Sequence, residues 1–314
     1  MKRDIRFLLT NKCNYNCFFC HNEGVEDSNT CTEMQLEDYL TLYSIYSKLE
    51  DWNGVTLSGG EPLIYKDIDV LVKELHQLGA VITIVTNGYL LKEHINILQY
   101  VDRINLSLHT LDEDTYHKIV GRQNVMNKVL TSLRITHEKY PNLKIRLNIT
   151  PTKDLNWSDE LLAQLIDFSK EINASLKFTE LFPKTDENCI ELKIIQDTIQ
   201  NLGYKEKDSY NRYKHFQKNE HSILLTQGTC SKAIEYPSPI HYCRKTHDLY
   251  VNHTGDFLLC RLGDESINFL EEIENKDYDG LRNKIKLAQQ KIADRSCLNR
   301  LGNFDMIKEI YNPI

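Results

Sequence analysis

Ile5-Arg6-Phe7-Leu8-Leu9-Thr10-Asn11-Lys12-Cys13-Asn14-Tyr15-Asn16-Cys17-Phe18-Phe19-Cys20 is an apolar strand-like run followed at once by three thiols spaced C-x3-C-x2-C. Thiolates suit zinc or iron–sulfur clusters, and a closed structural zinc site wants four ligands. Three close thiols can instead hold three irons of a [4Fe–4S] cluster and leave the fourth iron open to a small molecule. The competing reading is a zinc site completed by His21 or Cys31.

Outward from that run, strand and helix signals alternate to about residue 183. Strands are expected at Ile5–Thr10, Gly54–Leu57, Val81–Val85, Arg103–Leu108, Lys144–Ile149 and Ser175–Glu180. Amphipathic stretches lie between them near 33–50, 66–78, 91–100, 112–139 and 157–172. Six βα units in series argue an α/β fold with a parallel sheet, either an open doubly wound one or a partial (βα)6 barrel, the partial barrel being the expectation. The later strands alternate strictly. Asn105 and Ser107 interleave with Ile104, Leu106 and Leu108; Arg146 and Asn148 with Ile145, Leu147 and Ile149; Lys177 and Thr179 with Leu176 and Phe178. Side chains alternate faces along a strand. The helix-covered face must be apolar, so the polar set points to the concave side and implies a ligand there. A plain solvated sheet face is the alternative.

Residues 184–221 are polar and read as a linker with one helix near 190–201. From 222 the character changes to short strands at Ser222–Thr226, Asp248–Asn252 and Asp256–Cys260, then charged helices near 264–274 and 277–293. Asn252-His253-Thr254-Gly255-Asp256 looks like a hairpin turn. The expected organisation is a barrel over 1–183, a linker over 184–221 and a small α+β module over 222–314.

The 314-residue chain can bury a sizeable core, with 41% of its residues apolar. A formal charge of −7 and the lack of a basic tract exclude an electrostatic footprint for duplex nucleic acid. The apolar runs are only a few residues long, too short to span a bilayer. The start, Met1-Lys2-Arg3-Asp4, holds no secretory h-region. Nine cysteines, an odd number with one tight cluster, are no disulfide framework and point to a reducing cytoplasm.

Ser58-Gly59-Gly60-Glu61-Pro62 follows the second strand. Adjacent glycines let a backbone approach a ligand closely. Together with the cysteine loop, with Thr86-Asn87-Gly88 after strand three and with Asn105-Leu106-Ser107 on strand four, this pattern resembles the radical S-adenosylmethionine (SAM) superfamily over about residues 3–183. Leu106-Ser107-Leu108-His109-Thr110-Leu111-Asp112, Gly121-Arg122, Lys177-Phe178-Thr179-Glu180-Leu181 and Phe18-Phe19-Cys20-His21-Asn22-Glu23-Gly24 are most similar to the GTP 3′,8-cyclase branch of molybdopterin biosynthesis.

The resemblance implies roles. Cys13, Cys17 and Cys20 ligate three irons of a [4Fe–4S] cluster, and SAM chelates the fourth through its amino and carboxylate groups. Phe19 lies near the adenine. Gly59, Gly60 and Glu61 meet the methionine amino end, near Thr86 and Asn87. Ser107 and Asn148 hydrogen-bond SAM from the lumen. One electron, from a flavodoxin- or ferredoxin-type donor, cleaves the sulfonium. The resulting 5′-deoxyadenosyl radical takes hydrogen from a small-molecule substrate. Arg146 and Lys177 share the lumen pattern and suit an anionic substrate, a salt bridge to Glu61 or Glu180 being the alternative. Arg122 closes over SAM or caps a helix.

Cys243 and Cys260 are separated by 16 residues, as are the outer cysteines of the cyclase family's C-x2-C-x13-C second cluster. The middle position is Thr246, and Cys230 could replace it, giving Cys230, Cys243 and Cys260 around a second iron–sulfur cluster. Buried small apolar cysteines are the alternative. Asp248 and Tyr250 stand where that family has two substrate-contacting arginines, and the chain ends in Tyr311-Asn312-Pro313-Ile314 without the family's Gly-Gly tail. A guanine nucleotide therefore loses charged partners.

The leading expectation is a radical SAM enzyme acting on a small molecule of nucleoside or nucleotide type. A peptide-modifying enzyme that forms a crosslink, thioether or epimer is the second. Only twelve residues precede Cys13, which speaks against a leader-peptide module ahead of the barrel but leaves a peptide substrate bound by the second module open. A non-catalytic iron–sulfur or zinc binding protein is the third, and it leaves the Gly-Gly-Glu-Pro loop and polar lumen without purpose.

Overall fold

The computed structural model describes residues 4–20, 33–50, 53–181, 188–210, 213–226, 248–259 and 265–294. Six parallel strands form its centre: β1 (Ile5–Leu8), β2 (Gly54–Ser58), β3 (Val81–Thr86), β4 (Arg103–Ser107), β5 (Lys144–Ile149) and β6 (Ala174–Thr179). Each pairs in parallel with the next, as the βα alternation predicts. Helices α1 (Leu36–Glu50), α2 (Ile68–Gln77), α3 (Glu113–Val120), α4 (Met126–Lys139) and α5 (Asp159–Glu171) connect them.

The helix faces and one sheet face make a single apolar core. Ile82, Ile84, Ile104, Leu106, Leu147, Leu176 and Phe178 are buried there against Leu71, Val72, Leu133 and Leu165. Burying a side chain of this kind contributes about 1.5–3 kcal/mol. The intervening residues, Asn105, Ser107, Arg146, Asn148, Lys177 and Thr179, are half-buried on the other face. The two-residue period thus separates core from lumen, in keeping with a partial barrel.

Five expectations change. The residues read as a linker hold the one helix expected there, α6 (Leu192–Asn201), but also two antiparallel strands, β7 (Lys205–Tyr210) and β8 (Tyr213–Lys218). Their charges belong to an outer edge strand, where they discourage pairing with another chain, and in one dimension such a strand looks like linker. β9 (His221–Thr226), expected in the second module, pairs in parallel with β6, and β10 (Leu249–Val251) pairs in parallel with β1. β11 (Asp256–Leu258) and β12 (Ser266–Asn268) continue antiparallel from β10, so among the described residues the sheet has twelve strands in the order β12-β11-β10-β1-β2-β3-β4-β5-β6-β9-β8-β7. The backbone groups of β1 and β6 that a six-stranded sheet leaves open are taken up by later chain. The stretch near 112–139 is two helices, because Gly121 at φ +68 terminates α3 with its N–H on the His117 carbonyl. The stretch near 91–100 narrows to a 3₁₀ turn over Ile95–Tyr100. The helix expected at 264–274 is the short α7 (Leu270–Glu274), and α8 (Tyr278–Asp294) follows. Among the described residues no helix is long and apolar enough to cross a membrane.

Candidate active site

The cysteine loop leaves the C-terminal end of β1 and is pinned by backbone on two sides. Asn16 and Phe18 donate to the Val120 and Ile119 carbonyls at the end of α3, at 2.9 and 3.2 Å. On the other side, Gly60 N–H donates to Thr10 O at 2.7 Å and Glu61 N–H to Lys12 O at 2.9 Å. A Cβ on Gly60 would lie 2.2 Å from the Lys12 carbonyl oxygen, and one on Gly59 (φ +130) 2.5 Å from that of Thr10. The glycines are therefore needed first for the close approach of two loops. Neither glycine carbonyl accepts one of these loop bonds.

Glu61 and Thr86 differ from expectation. Glu61 is fully buried, and its carboxylate accepts from Thr86 Oγ1 at 2.7 Å, Leu63 N at 3.1 Å and Asn87 N at 2.8 Å. Thr86 is buried beside it, and its hydroxyl oxygen accepts from Gly88 N. These side chains face inward and tie the loop after β2 to the turn after β3. Burial pushes the Glu61 carboxyl up to about 7. Asn87 then carries the order outward: its side-chain nitrogen donates to Asn14 Oδ1 at 2.7 Å and to Cys13 Sγ at 3.8 Å.

All three loop cysteines are free thiols, Cys13 and Cys20 exposed and Cys17 half-buried. Burial, with the neighbouring Cys20 and Cys13 thiols, pushes Cys17 up to about 12. A cationic metal centre would stabilise the thiolate that burial disfavours at Cys13 and Cys17. Cys13 Sγ also accepts from Tyr15 N at 3.5 Å, as a ligating sulfur would. No three described His, Cys, Asp or Glu side chains converge as they would on one metal ion. Tetrahedral zinc needs thiolate sulfurs about 3.8 Å apart; a cube presents its irons at separate corners. Three free thiols on one short loop are a donor set that fits three corners of an iron–sulfur cluster. Cys230, Cys243 and Cys260 lie outside the described residues, as do His21 and Cys31.

The remaining expected residues line the open end of the lumen. Ser107 and Asn148 are register partners across β4 and β5, and Asn105 pairs with Arg146 one rung below. Asn105 Oδ1, Asn148 Oδ1, Arg146 Nε and Thr226 Oγ1 are buried with no hydrogen-bond partner among the described residues. Buried polar atoms are nearly always satisfied, so four on one concave face mark a place for a polar ligand. No described carboxylate pairs with Arg146, which removes the salt-bridge alternative there; Lys177 Nζ stands 5.7 Å from the Tyr213 ring centroid. Phe19 packs edge-on against His109 at 4.9 Å. His109 is buried, and Thr150 N donates to its Nδ1 at 3.1 Å.

Arg122 neither caps a helix nor stands open. It donates to the Asn14 carbonyl at 3.2 Å and to Tyr89 Oη at 3.0 Å, clamping the cysteine loop from the α3–α4 side. Tyr89 escaped sequence reasoning; its signal was its place directly after Thr86-Asn87-Gly88. Across the lumen, Arg6 reaches Asp248 Oδ2 at 3.5 Å and lies 5.1 Å from the Tyr250 ring centroid.

A sequence model of the radical SAM superfamily matches residues 7–166. A probable GTP 3′,8-cyclase of Pyrobaculum aerophilum is 27% identical over 300 residues, covering 90% of this chain and 92% of that protein. A protein of the same description from Saccharolobus islandicus is 28% identical over 290 residues, 88% of each chain. Among solved structures, Streptococcus suis SuiB bound to S-adenosylmethionine superposes with a TM-score of 0.63 at 20% identity, covering 90% of this chain and 68% of that one. SuiB bound to its precursor peptide SuiA gives 0.62 over 91% and 66%.

Proposed function

We propose, from the premise that this chain belongs to the radical SAM superfamily, that Cys13, Cys17 and Cys20 hold its [4Fe–4S] cluster and that the polar concave face receives SAM and a nucleoside- or nucleotide-type substrate. Membership makes the protein an enzyme that uses such a cluster and SAM, and the purely binding alternative falls with it. When bound, the reduced cluster supplies the electron that splits SAM into methionine and a 5′-deoxyadenosyl radical.

The chain's own residues position and shelter. Glu61, through Thr86 and the Asn87 N–H, keeps the Gly59–Gly60 backbone against the cysteine loop. The two glycine carbonyls are the acceptors offered to the methionine ammonium. Ser107 and Asn148, side by side, hydrogen-bond the nucleoside part, and the unpartnered Asn148 Oδ1 is the observation that carries this reading. Phe19 supplies an apolar wall for the adenine, its ring held by His109. An odd cysteine count with one tight cluster suits a reducing cytoplasm and a flavodoxin- or ferredoxin-type donor.

GTP itself is a poor fit. Asp248 and Tyr250 present an acid and a phenol, both engaged with Arg6, where a guanine would need cations. A peptide is the second reading, supported by the fold shared with the SuiB–SuiA complex. A second cluster on Cys230, Cys243 and Cys260 is part of the proposal.

The test is anaerobic. Reconstituted protein given dithionite and SAM should form 5′-deoxyadenosine and methionine. Its failure to do so at full iron content would overturn the reading. Nucleoside triphosphates other than GTP, added to the same mixture, should raise the yield where GTP does not.

A further inference from the structure

The concave face runs on past the strands that carry the cofactor residues. Lys177 on β6, Leu224 on β9 and His215 on β8 stand on one rung, so His215 shares the lumen side. Gln217 pairs with Ser222, which makes Ser222 the diagonal neighbour of His215 on the same face. The two side chains meet, with His215 Nε2 and Ser222 Oγ 2.9 Å apart. Beyond the ring, Asp208 Oδ1 stands 3.6 Å from His215 Nδ1. A carboxylate, an imidazole and a hydroxyl thus follow one another across β7, β8 and β9.

A slip in the sheet puts the acid there. β7 and β8 pair Glu206 with Phe216 and then Asp208 with His215, so Lys207 has no residue opposite it. Regular pairing would set Lys207 against the imidazole. Bulges re-aim side chains in this way and are frequent beside active sites. A cross-strand polar contact by itself contributes only about 0.2–1 kcal/mol and needs no bulge. The tautomer with its hydrogen on Nδ1, towards Asp208, leaves Nε2 to accept the Ser222 O–H.

Ser222 also faces open space. It lines a cavity of about 870 Å³ where β4, β5, β6 and β9 begin. Arg103, Lys144, Lys170 and Lys218 border the same cavity, against one carboxylate, Glu220. A serine nucleophile needs a base within hydrogen-bond reach, a group that orients the base, and room for the reacting carbon. All three are present at Ser222. Four cations around the hollow favour the negative charge that develops on a carbonyl oxygen under attack.

We propose that Asp208, His215 and Ser222 form a second catalytic site, which hydrolyses small carboxylic esters that enter this cavity. Ser222 Oγ attacks the ester carbonyl carbon and its proton passes to His215 Nε2. The bond to the alcohol oxygen breaks, and the alcohol leaves with that proton. Water then releases the acid by the same route and restores the hydroxyl. Asp208 acts through His215, holding the ring and stabilising it while it carries the proton. The site is separate from the cofactor end of the lumen. Thr226, level with Thr179 at that end, is four residues from Ser222 on β9, about 13 Å along the strand.

The experiment treats the anaerobically purified full chain with diisopropyl fluorophosphate, which activated serine hydroxyls displace at phosphorus with loss of fluoride. Peptide mapping by mass spectrometry locates the label, and p-nitrophenyl acetate hydrolysis is followed in parallel. One label on Ser222 and ester turnover that disappears in Ser222→Ala are expected. Both rates should fall about a hundredfold in His215→Gln. They should fall about tenfold in Asp208→Asn and recover in Asp208→Glu, which a merely structural acid would not require. Asp208 is exposed, so this pair carries the test if His215→Gln does not fold. An unlabelled Ser222, labelling or turnover indifferent to all these substitutions, or a label without ester turnover overturns the proposal. No SAM cleavage enters the readout, so this site and the cofactor reading can fail independently.

Discussion

The Thr86 hydroxyl donates to Glu61 Oε1 across 2.7 Å, between two side chains closed off from solvent. Through this contact the turn after β3 is tied to the loop after β2, and through Asn87 to Cys13. Glu61→Gln puts an amide N–H where an acceptor is needed for Thr86 or Asn87. It is expected to cost about 2 kcal/mol in the apoprotein, the penalty of one buried unsatisfied group. Thr86→Val should cost about 1 kcal/mol. Denaturant titration measures both. A Glu61→Gln protein as stable as the parent would refute the scaffold role.

Gly60→Ala should separate the two loops. Its Cβ would meet backbone, the Lys12 carbonyl at 2.2 Å, which cannot swing away as a side chain can. The expected result is a protein that folds but keeps less than half its iron after desalting. Gly79→Ala is the control: nothing lies within 4 Å of its Cβ, so its strain at φ +79 is local and iron content should not change.

Stability should fall on acidification because His109 is held neutral. Burial lowers it from the ordinary 6.5 to about 4. The unfolded chain therefore binds a proton that the folded chain refuses, and stability is lost as pH drops from 6.5 towards 4, by about 3 kcal/mol at most. Glu61, raised to about 7, runs the other way, losing stability as pH rises from 4.5 through 7. Comparing the parent with His109→Gln isolates the first effect, since Gln can still accept the Thr150 N–H. The variant's profile should lose the acid-side decline; identical profiles would contradict the assignment.

Cys13→Ala, Cys17→Ala and Cys20→Ala should each lose about four irons per chain and all 5′-deoxyadenosine formation. Cys243→Ala combined with Cys260→Ala should lose about four irons and keep those of the first cluster, and an unchanged iron count would overturn the second cluster. Metal analysis reads both.

Ser107→Ala and Asn148→Ala should leave iron unchanged and weaken SAM about tenfold each, the loss of a hydrogen bond to a buried unsatisfied partner. Equilibrium binding of SAM under anaerobic conditions checks this. Unaltered affinity in both would move the cofactor away from that rung.

Much of this site could be read in one dimension. Cys13, Cys17 and Cys20 are local, and ligand spacing within one loop survives any arrangement of the rest. The alternation of Asn105, Ser107, Arg146 and Asn148 with Ile and Leu is equally local, since a strand turns each successive side chain to the opposite face. Glu61 was legible as a site residue but not in its role. The burial that makes it a loop anchor comes from Thr86 and Asn87, some 25 residues on. The cationic cavity was wholly invisible, because Arg103, Lys144 and Lys218 meet only when three strands and a hairpin are laid side by side.

The amino-acid sequence by itself determined the parallel βα core, the thiol loop and the polar concave face, because each follows from spacing along a continuous segment. Only the tertiary structure decided that β9 and β10 complete the two edges of that core, that residues 205–218 are sheet and not linker, and that Glu61 faces inward. Pairing between strands is made by backbone groups common to every residue, so the side-chain pattern leaves the choice of neighbour to the folded chain.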